Sequence, residues 1–256
     1  MVGGDGSFKG MRHITDSYQE TYGDPIRLVG IPATIDNDIW GTEASIGFDT
    51  ALNNTVMCLR NLRDTIDSHR RCAILEVMGN TSGWIALSAG VSGGATTIML
   101  PELPDTWDLR KVVARVRAAV RNEYRYITVV MAEGVRKRSG NKRLGEDLRR
   151  AIESDAEIKA LLGRPLETRL NIIGYLARGG RPSAFDNLLA SRLGAAAADA
   201  ALDVGQTEPV MTGLVNNAVH LVPFKKVVEH SPRLVSPTDE LVDVASSLLI
   251  QEDQNF

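Results

Sequence analysis

The 256-residue chain contains two cysteines, four histidines and only 5% aromatic residues. Cys58 and Cys72 are too few for a disulfide framework, and neither they nor His13, His69, His220 and His230 show the paired spacings of a zinc site. A reduced, cytoplasmic location is the simplest expectation. Trp40, Trp84 and Trp107 are not interleaved with basic residues. Single-stranded nucleic acid needs a basic groove lined with stacking rings, so nucleic acid is not an expected partner. The net charge is a modest −3, which gives no general attraction to polyanions or anionic lipid. No run approaches the roughly 20 apolar residues that a bilayer span requires, so no membrane association is expected. The opening Met1-Val2-Gly3-Gly4-Asp5 has no basic stretch before an apolar core, so no secretory leader is expected either.

What is present is an ordinary globular composition, 43% hydrophobic and 24% charged, long enough for one large or two modest domains. Arg27-Leu28-Val29-Gly30-Ile31 reads as a buried strand, after which Leu52, Val56, Leu59, Leu62 and Ile66 recur at helical spacing. Residues 72–78, 96–100, 126–132 and 170–173 read as further strands. Residues 84–92, the series Leu109, Val112, Val113, Val116 and Val120, a segment before Leu162, and residues 185–202 read as the helices between them. Continuous apolar strands separated by helices predict a parallel sheet covered on both faces, the α/β class.

Ligands of such sheets bind beyond the carboxyl ends of the strands. Gly3-Gly4-Asp5-Gly6-Ser7 leaves its backbone free of side-chain bulk, so its amides can approach phosphate oxygens, and Asp5 is a candidate Mg²⁺ carboxylate. Thr34-Ile35-Asp36-Asn37-Asp38 follows the first apolar run. In extended backbone Asp36 and Asp38 would share one face, one accepting a hydroxyl proton and the other helping to hold a metal. The bland alternatives are a tight turn and an Asx-rich turn. Arg71, Arg169 and Arg178 lie near strand ends, where the planar guanidinium suits phosphate. The basic segment 136–143 reads as a solvated loop.

Taken in order, Gly-Gly-Asp-Gly-Ser, Thr34 to Ile39 with Gly41-Thr42, Ser68-His69-Arg70-Arg71, Glu76-Val77-Met78-Gly79 and Arg178-Gly179-Gly180 resemble the 6-phosphofructokinase family, bacterial ATP-dependent type, over nearly the whole chain. The resemblance implies two three-layer α/β/α domains with parallel sheets, the first truncated at its amino end. Residues 1–47 with 177–229 would bind nucleotide and Mg²⁺, and residues 48–176 with 230–256 the sugar phosphate. It implies phosphoryl transfer from ATP to the 1-hydroxyl of fructose 6-phosphate, with Asp36 as base and Thr34 and Asp38 beside it. Gly4, Asp5, Gly6 and Ser7 would meet the nucleotide phosphates and Mg²⁺, with Asp5 the metal carboxylate. Thr34, Ile35, Asp36, Met78, Gly79, Asn80, Glu133, Tyr175 and Arg178 match substrate contacts. Arg71 and Arg169 match arginines that reach a neighbouring subunit's site, so a homodimer or homotetramer with shared sites is expected.

Gly6 leaves space where pyrophosphate-dependent relatives carry Asp, and Ala33 is small where they carry Lys; both favour ATP over pyrophosphate as donor. The family's amino-terminal segment supplies first strands, a further Gly-rich loop and an arginine near the transferred phosphate. Its absence here leads to the expectation of weak activity, and keeps a non-catalytic sugar-phosphate-binding subunit as an alternative. Asn80 stands where many relatives have Arg, and Tyr175 where His is common. Arg63 matches a position associated with nucleotide effectors, but Thr96 stands where an acidic effector-site residue often lies.

Overall fold

The computed structural model describes residues 1–24 and 26–248. In chain order it runs β1 (Val2–Gly3), α1 (Asp5–Tyr22), β2 (Val29–Pro32), α2 (Phe48–His69), β3 (Cys72–Val77), α3 (Trp84–Gly93), β4 (Thr97–Met99), α4 (Leu109–Arg121) and β5 (Ile127–Ala132). It continues through α5 (Gly134–Arg138), α6 (Leu144–Ser154), α7 (Ala156–Leu162), β6 (Thr168–Ile172), α8 (Ala184–Leu202), β7 (Val210–Val215), β8 (Ala218–Pro223), α9 (Phe224–His230) and α10 (Glu240–Leu248). Two compact units result. The first joins Met1–Thr50 to Gly180–Arg233, and the second joins Ala51–Gly179 to the described residues from Leu234 to Leu248.

The first unit holds a four-stranded sheet of order β1-β2-β7-β8. β1, β2 and β7 are parallel, whereas β8 returns antiparallel to β7 through Asn216 and Asn217, both at positive φ. This hairpin is not among the strands expected from the apolar runs: Thr212 and Gly213 interrupt β7, and His220 interrupts β8, which has no fully buried residue. One face of the sheet packs Phe8 of α1 against Phe224, their rings stacked with centroids 5.2 Å apart. The other face packs Leu189 and Leu193 of α8 against Leu214 and Ile31. Ser183 caps α8 by accepting from the Asp186 N–H.

The second unit holds an all-parallel sheet of order β4-β5-β3-β6. Every residue of β3 and β5 is buried, as central strands covered on both faces must be. α4 turns Val112, Val113, Val116 and Ala119 inward, and Asp108 caps its start. The segment expected as one helix before Leu162 is two, α6 and α7, because Asp155 leaves the helical region and caps the second by accepting from Ile158 N–H. No helix of the described residues is long and apolar enough to cross a membrane.

Candidate active site

In the first unit the site follows from strand register. Gly3 pairs with Pro32, so the residues after both strands emerge side by side. β1 ends after Gly3 and α1 begins at Asp5, so Asp5, Gly6 and Ser7 form the first helical turn and not an open loop. Gly4 is the N-cap and supplies no side-chain bond, which leaves first-turn N–H groups open to an anion. A Cβ on Gly4 would lie 3.1 Å from Thr34 Cβ, so the two segments touch here. A Cβ on Gly6 would meet nothing within 4 Å, so that position faces open space.

Thr34 to Asp38 is a turn, not extended backbone. Asn37 takes φ of 50°, Thr34 Oγ1 accepts from Asp36 N–H at 3.2 Å, and Asn37 Oδ1 accepts from Ser45 N–H at 2.9 Å. Strand alternation therefore does not place the two aspartates. The turn buries Asp38 to 4% exposure and leaves Asp36 partly exposed. Burial pushes the Asp38 carboxyl up to about 6, and the charges of Asp36 and then Asp5 add to the rise, against its own backbone hydrogen bond and Lys9. Asp36 and Asp5 thus both lie within electrostatic reach of Asp38.

Among the described residues no three acidic, His or Cys side chains are placed to enclose a metal by themselves. Mg²⁺ does not need such a cage: it keeps several waters and takes one or two carboxylates with substrate phosphates. Asp5 Oδ1 and Asp38 Oδ1 are shielded from solvent without a hydrogen-bond partner, a donor set that fits this ion.

In the second unit, Glu133 follows β5 and Met78, Gly79 and Asn80 follow β3, parallel neighbours. Gly79 has φ of 132°, and a Cβ there would come 2.4 Å from Ser82 O. A Cβ on Gly134 would lie 2.3 Å from Asn80 O, so two glycines press this loop onto the residue after Glu133. Arg178 Nε lies 3.1 Å from Met78 Sδ, and Asn54 Nδ2 donates to Ala177 O and Gly179 O on either side of that arginine. Tyr175 is 84% exposed. Arg71 and Arg169 come together on one carboxylate: Arg71 Nε donates to Glu167 at 2.7 Å, and Arg169 bonds its other oxygen.

Several contributors carry no motif. Glu76, buried in β3, pairs with Arg136 Nη2 at 2.7 Å, so that part of the basic segment is helical and turned inward, contrary to the expected solvated loop. Burial raises the Glu76 carboxyl, with Glu133 adding to and Arg136 opposing the rise. Ser45, Asn54 and Arg233 support site segments from a distance in sequence. Arg63 donates to Gly93 O and lies over the Tyr126 ring, 4.0 Å from its centroid.

The phosphofructokinase family model matches residues 1–201. The chain belongs to the phosphofructokinase family. An ATP-dependent 6-phosphofructokinase of Natranaerobius thermophilus is 36% identical over 250 residues, covering 98% of this chain and 69% of that protein. The ATP-dependent 6-phosphofructokinase of Bacillus pumilus is 41% identical over 203 residues, covering 79% of this chain and 56% of that protein. Among solved structures, a pyrophosphate-dependent phosphofructokinase from Marinobacter aquaeolei aligns with a TM-score of 0.75 at 25% identity, covering 98% of this chain and 67% of that one. The chain thus spans between a little over half and about two thirds of these phosphofructokinases.

Proposed function

We propose that this chain carries catalytic machinery of an ATP-dependent 6-phosphofructokinase, transferring a phosphoryl group from ATP to the 1-hydroxyl of fructose 6-phosphate. The observation that carries the reading is the meeting of the Gly4–Asp5 and Thr34–Asp38 segments, where the charges of Asp36 and Asp5 both act on Asp38 and one oxygen each of Asp5 and Asp38 is buried without a hydrogen-bond partner. Curated relatives named for this activity at 36% and 41% identity support it.

Asp36 takes the proton of the attacking hydroxyl, its basicity set by position more than by a matched pKa. Thr34 and Ile35 line the reacting phosphate, and Asp38 shares the charge around it. Gly4, Gly6 and Ser7 direct first-turn amides at the nucleotide phosphates. Asp5, with Asp38 near it, would hold Mg²⁺, which supplies charge neutralisation to the phosphates when bound. Met78, Gly79, Asn80 and Glu133 position the sugar, Glu133 accepting from its hydroxyls, while Arg178 and Tyr175 hold the 6-phosphate. Arg71 and Arg169 serve a neighbouring subunit's site in a homodimer or homotetramer, Glu167 holding both until the neighbour's sugar phosphate competes for them. Catalysis is then positioning and charge neutralisation with little covalent work for the protein. The free thiols Cys58 and Cys72 agree with a cytoplasmic enzyme.

ATP is the favoured donor because Gly6 leaves open space where a carboxylate would repel the rest of a nucleotide. The experiment is a coupled assay for fructose 1,6-bisphosphate with ATP or pyrophosphate as donor. Asp36→Ser should remove nearly all turnover while leaving fructose 6-phosphate binding within about threefold, a shift of under ~1 kcal/mol. Sugar-phosphate binding without turnover from either donor would instead make the chain a non-catalytic subunit.

A further inference from the structure

The segment Arg136-Lys137-Arg138-Ser139-Gly140-Asn141-Lys142-Arg143 concentrates five cations, and their fates diverge. Arg136 is held inward by Glu76. Lys137 and Lys142 instead stand on the wall of a cavity of about 380 Å³, together with Asn80, Glu133 and Arg136. Among the described residues neither ammonium is paired with a carboxylate, and Glu133 is likewise without a side-chain hydrogen bond or ion pair. An acid and two bases therefore share one cavity without closing on each other.

That arrangement selects a ligand. A bare anion would engage the lysines but leave Glu133 without a donor, and a neutral sugar would leave two ammonium groups unengaged. A molecule that offers hydroxyls to Glu133 and phosphate oxygens to the lysines satisfies both. The loop Met78–Gly79–Asn80 fixes where such a phosphate lies. Arg178 sits against Met78 at one end of this loop, and Asn80 lines the cavity at the other. Arg178 and the lysine-lined cavity therefore flank the same three-residue loop, which suits a ligand phosphorylated at both ends.

We propose that Lys137 and Lys142 form a second phosphate subsite, so that this unit binds a sugar bisphosphate more tightly than a sugar monophosphate. The inference rests on the proposed placement of the sugar at Glu133 and Arg178, and adds two specificity-determining residues to it. It also supplies positive charge near Asn80, a position with no charge of its own.

The test compares the full chain with Lys137→Met/Lys142→Met, both exposed positions, by titration calorimetry with fructose 1,6-bisphosphate and fructose 6-phosphate. The expected result is at least a tenfold loss of bisphosphate affinity with less than a threefold change for the monophosphate. Equal losses, or none, overturn the second subsite. A second measurement does not depend on the sugar. Pyridoxal 5′-phosphate condenses with lysine amines, releasing water, and borohydride reduction fixes the adduct for peptide mapping. Lys137 and Lys142 should label ahead of Lys9, Lys111, Lys159, Lys225 and Lys226, and inorganic phosphate should protect them. Labelling and protection without sugar binding would uphold a phosphate subsite while ending the sugar-kinase reading. Absence of phosphate protection at both lysines overturns the subsite itself.

Discussion

Arg233 holds the turn that carries Asp38. Its backbone N–H donates to the Asp38 carbonyl oxygen at 2.5 Å, and its Nη2 reaches the Asn37 carbonyl at 3.2 Å. Two residues earlier, Ser231 Oγ accepts from Trp40 N–H at 2.9 Å. The segment 231–233 therefore holds the chain at Asn37, Asp38 and Trp40, where it leaves the acidic turn. Arg233→Met keeps the backbone bond and removes the guanidinium. We expect kcat to fall about tenfold, ~1.4 kcal/mol of transition-state stabilisation, with fructose 6-phosphate affinity unchanged. Steady-state kinetics beside calorimetry checks this; a lowered melting temperature with unaltered kcat would reduce Arg233 to a purely structural tie.

Asp186 is 2% exposed, and its carboxylate accepts from Gly47 N–H at 3.0 Å and from Thr50 N–H at 2.8 Å, with Thr50 Oγ1 a third donor. Asp186→Ala strands these donors in a buried place, each costing about 1–3 kcal/mol when unsatisfied. The expected loss is about 3 kcal/mol or more of unfolding free energy, read from urea denaturation. Asp186→Asn keeps one acceptor oxygen and should lose clearly less. Equal effects of the two substitutions would show that packing, not hydrogen bonding, explains the site.

Glu102 gives a pH signature. Its Oε1 accepts from Gly83 N–H at 2.8 Å and Val235 N–H at 3.1 Å, yet burial outweighs those bonds and raises the carboxyl above 4.5. A raised folded-state value means that the native protein binds the proton more tightly than the unfolded chain. This contribution is fully present below the unfolded value and is lost as pH rises from about 4.5 through the folded value. Glu167, Glu146 and Asp155 are lowered by arginine partners and act in the opposite sense, losing stability as pH falls. The wild type minus Glu102→Gln difference isolates the term. Relative to the wild type, the variant should gain stability as pH rises through that window; a flat difference would show that Glu102 is not perturbed.

Most of the second unit was legible because its strands are continuous apolar runs between amphipathic helices, and β3 and β5 fall where those runs lie. The β7–β8 hairpin was not, since Thr212-Gly213 and His220 break its apolar runs and an Asn-Asn turn carries little signal without the strands that flank it. The site divides in the same way. Asp5 and the Thr34–Asp38 turn sit in short unusual strings directly after strands, so local sequence exposes them. Glu76 with Arg136, Asn54 with Gly179, and Arg233 with Asp38 are joined by tertiary register across 60 to 195 positions. No local pattern marks one partner for the other. The conformation of Asn37, at φ of 50°, likewise replaced the extended geometry that alternation implies.

The donor preference rests on Gly6, and the position allows a clean test. Its Cβ direction is empty, so Gly6→Asp should fold as the wild type does, apart from a small change in helix propensity. The new carboxylate would stand one residue after Asp5 in the first turn of α1, where nucleotide phosphates are proposed to bind. Two like charges about 4 Å apart at an effective dielectric near 20 repel by ~4 kcal/mol before screening. A loss of ATP-dependent turnover on the order of 100-fold, ~2.7 kcal/mol, is therefore expected. Pyrophosphate carries neither the α-phosphate nor the adenosine of ATP, so the extra charge that the carboxylate would repel is absent and any pyrophosphate-dependent turnover should fall far less. Parallel assays with both donors decide the matter. Equal losses would mean that the carboxylate disturbs phosphate binding in general, and unchanged ATP turnover would mean that the open side of Gly6 does not face the nucleotide.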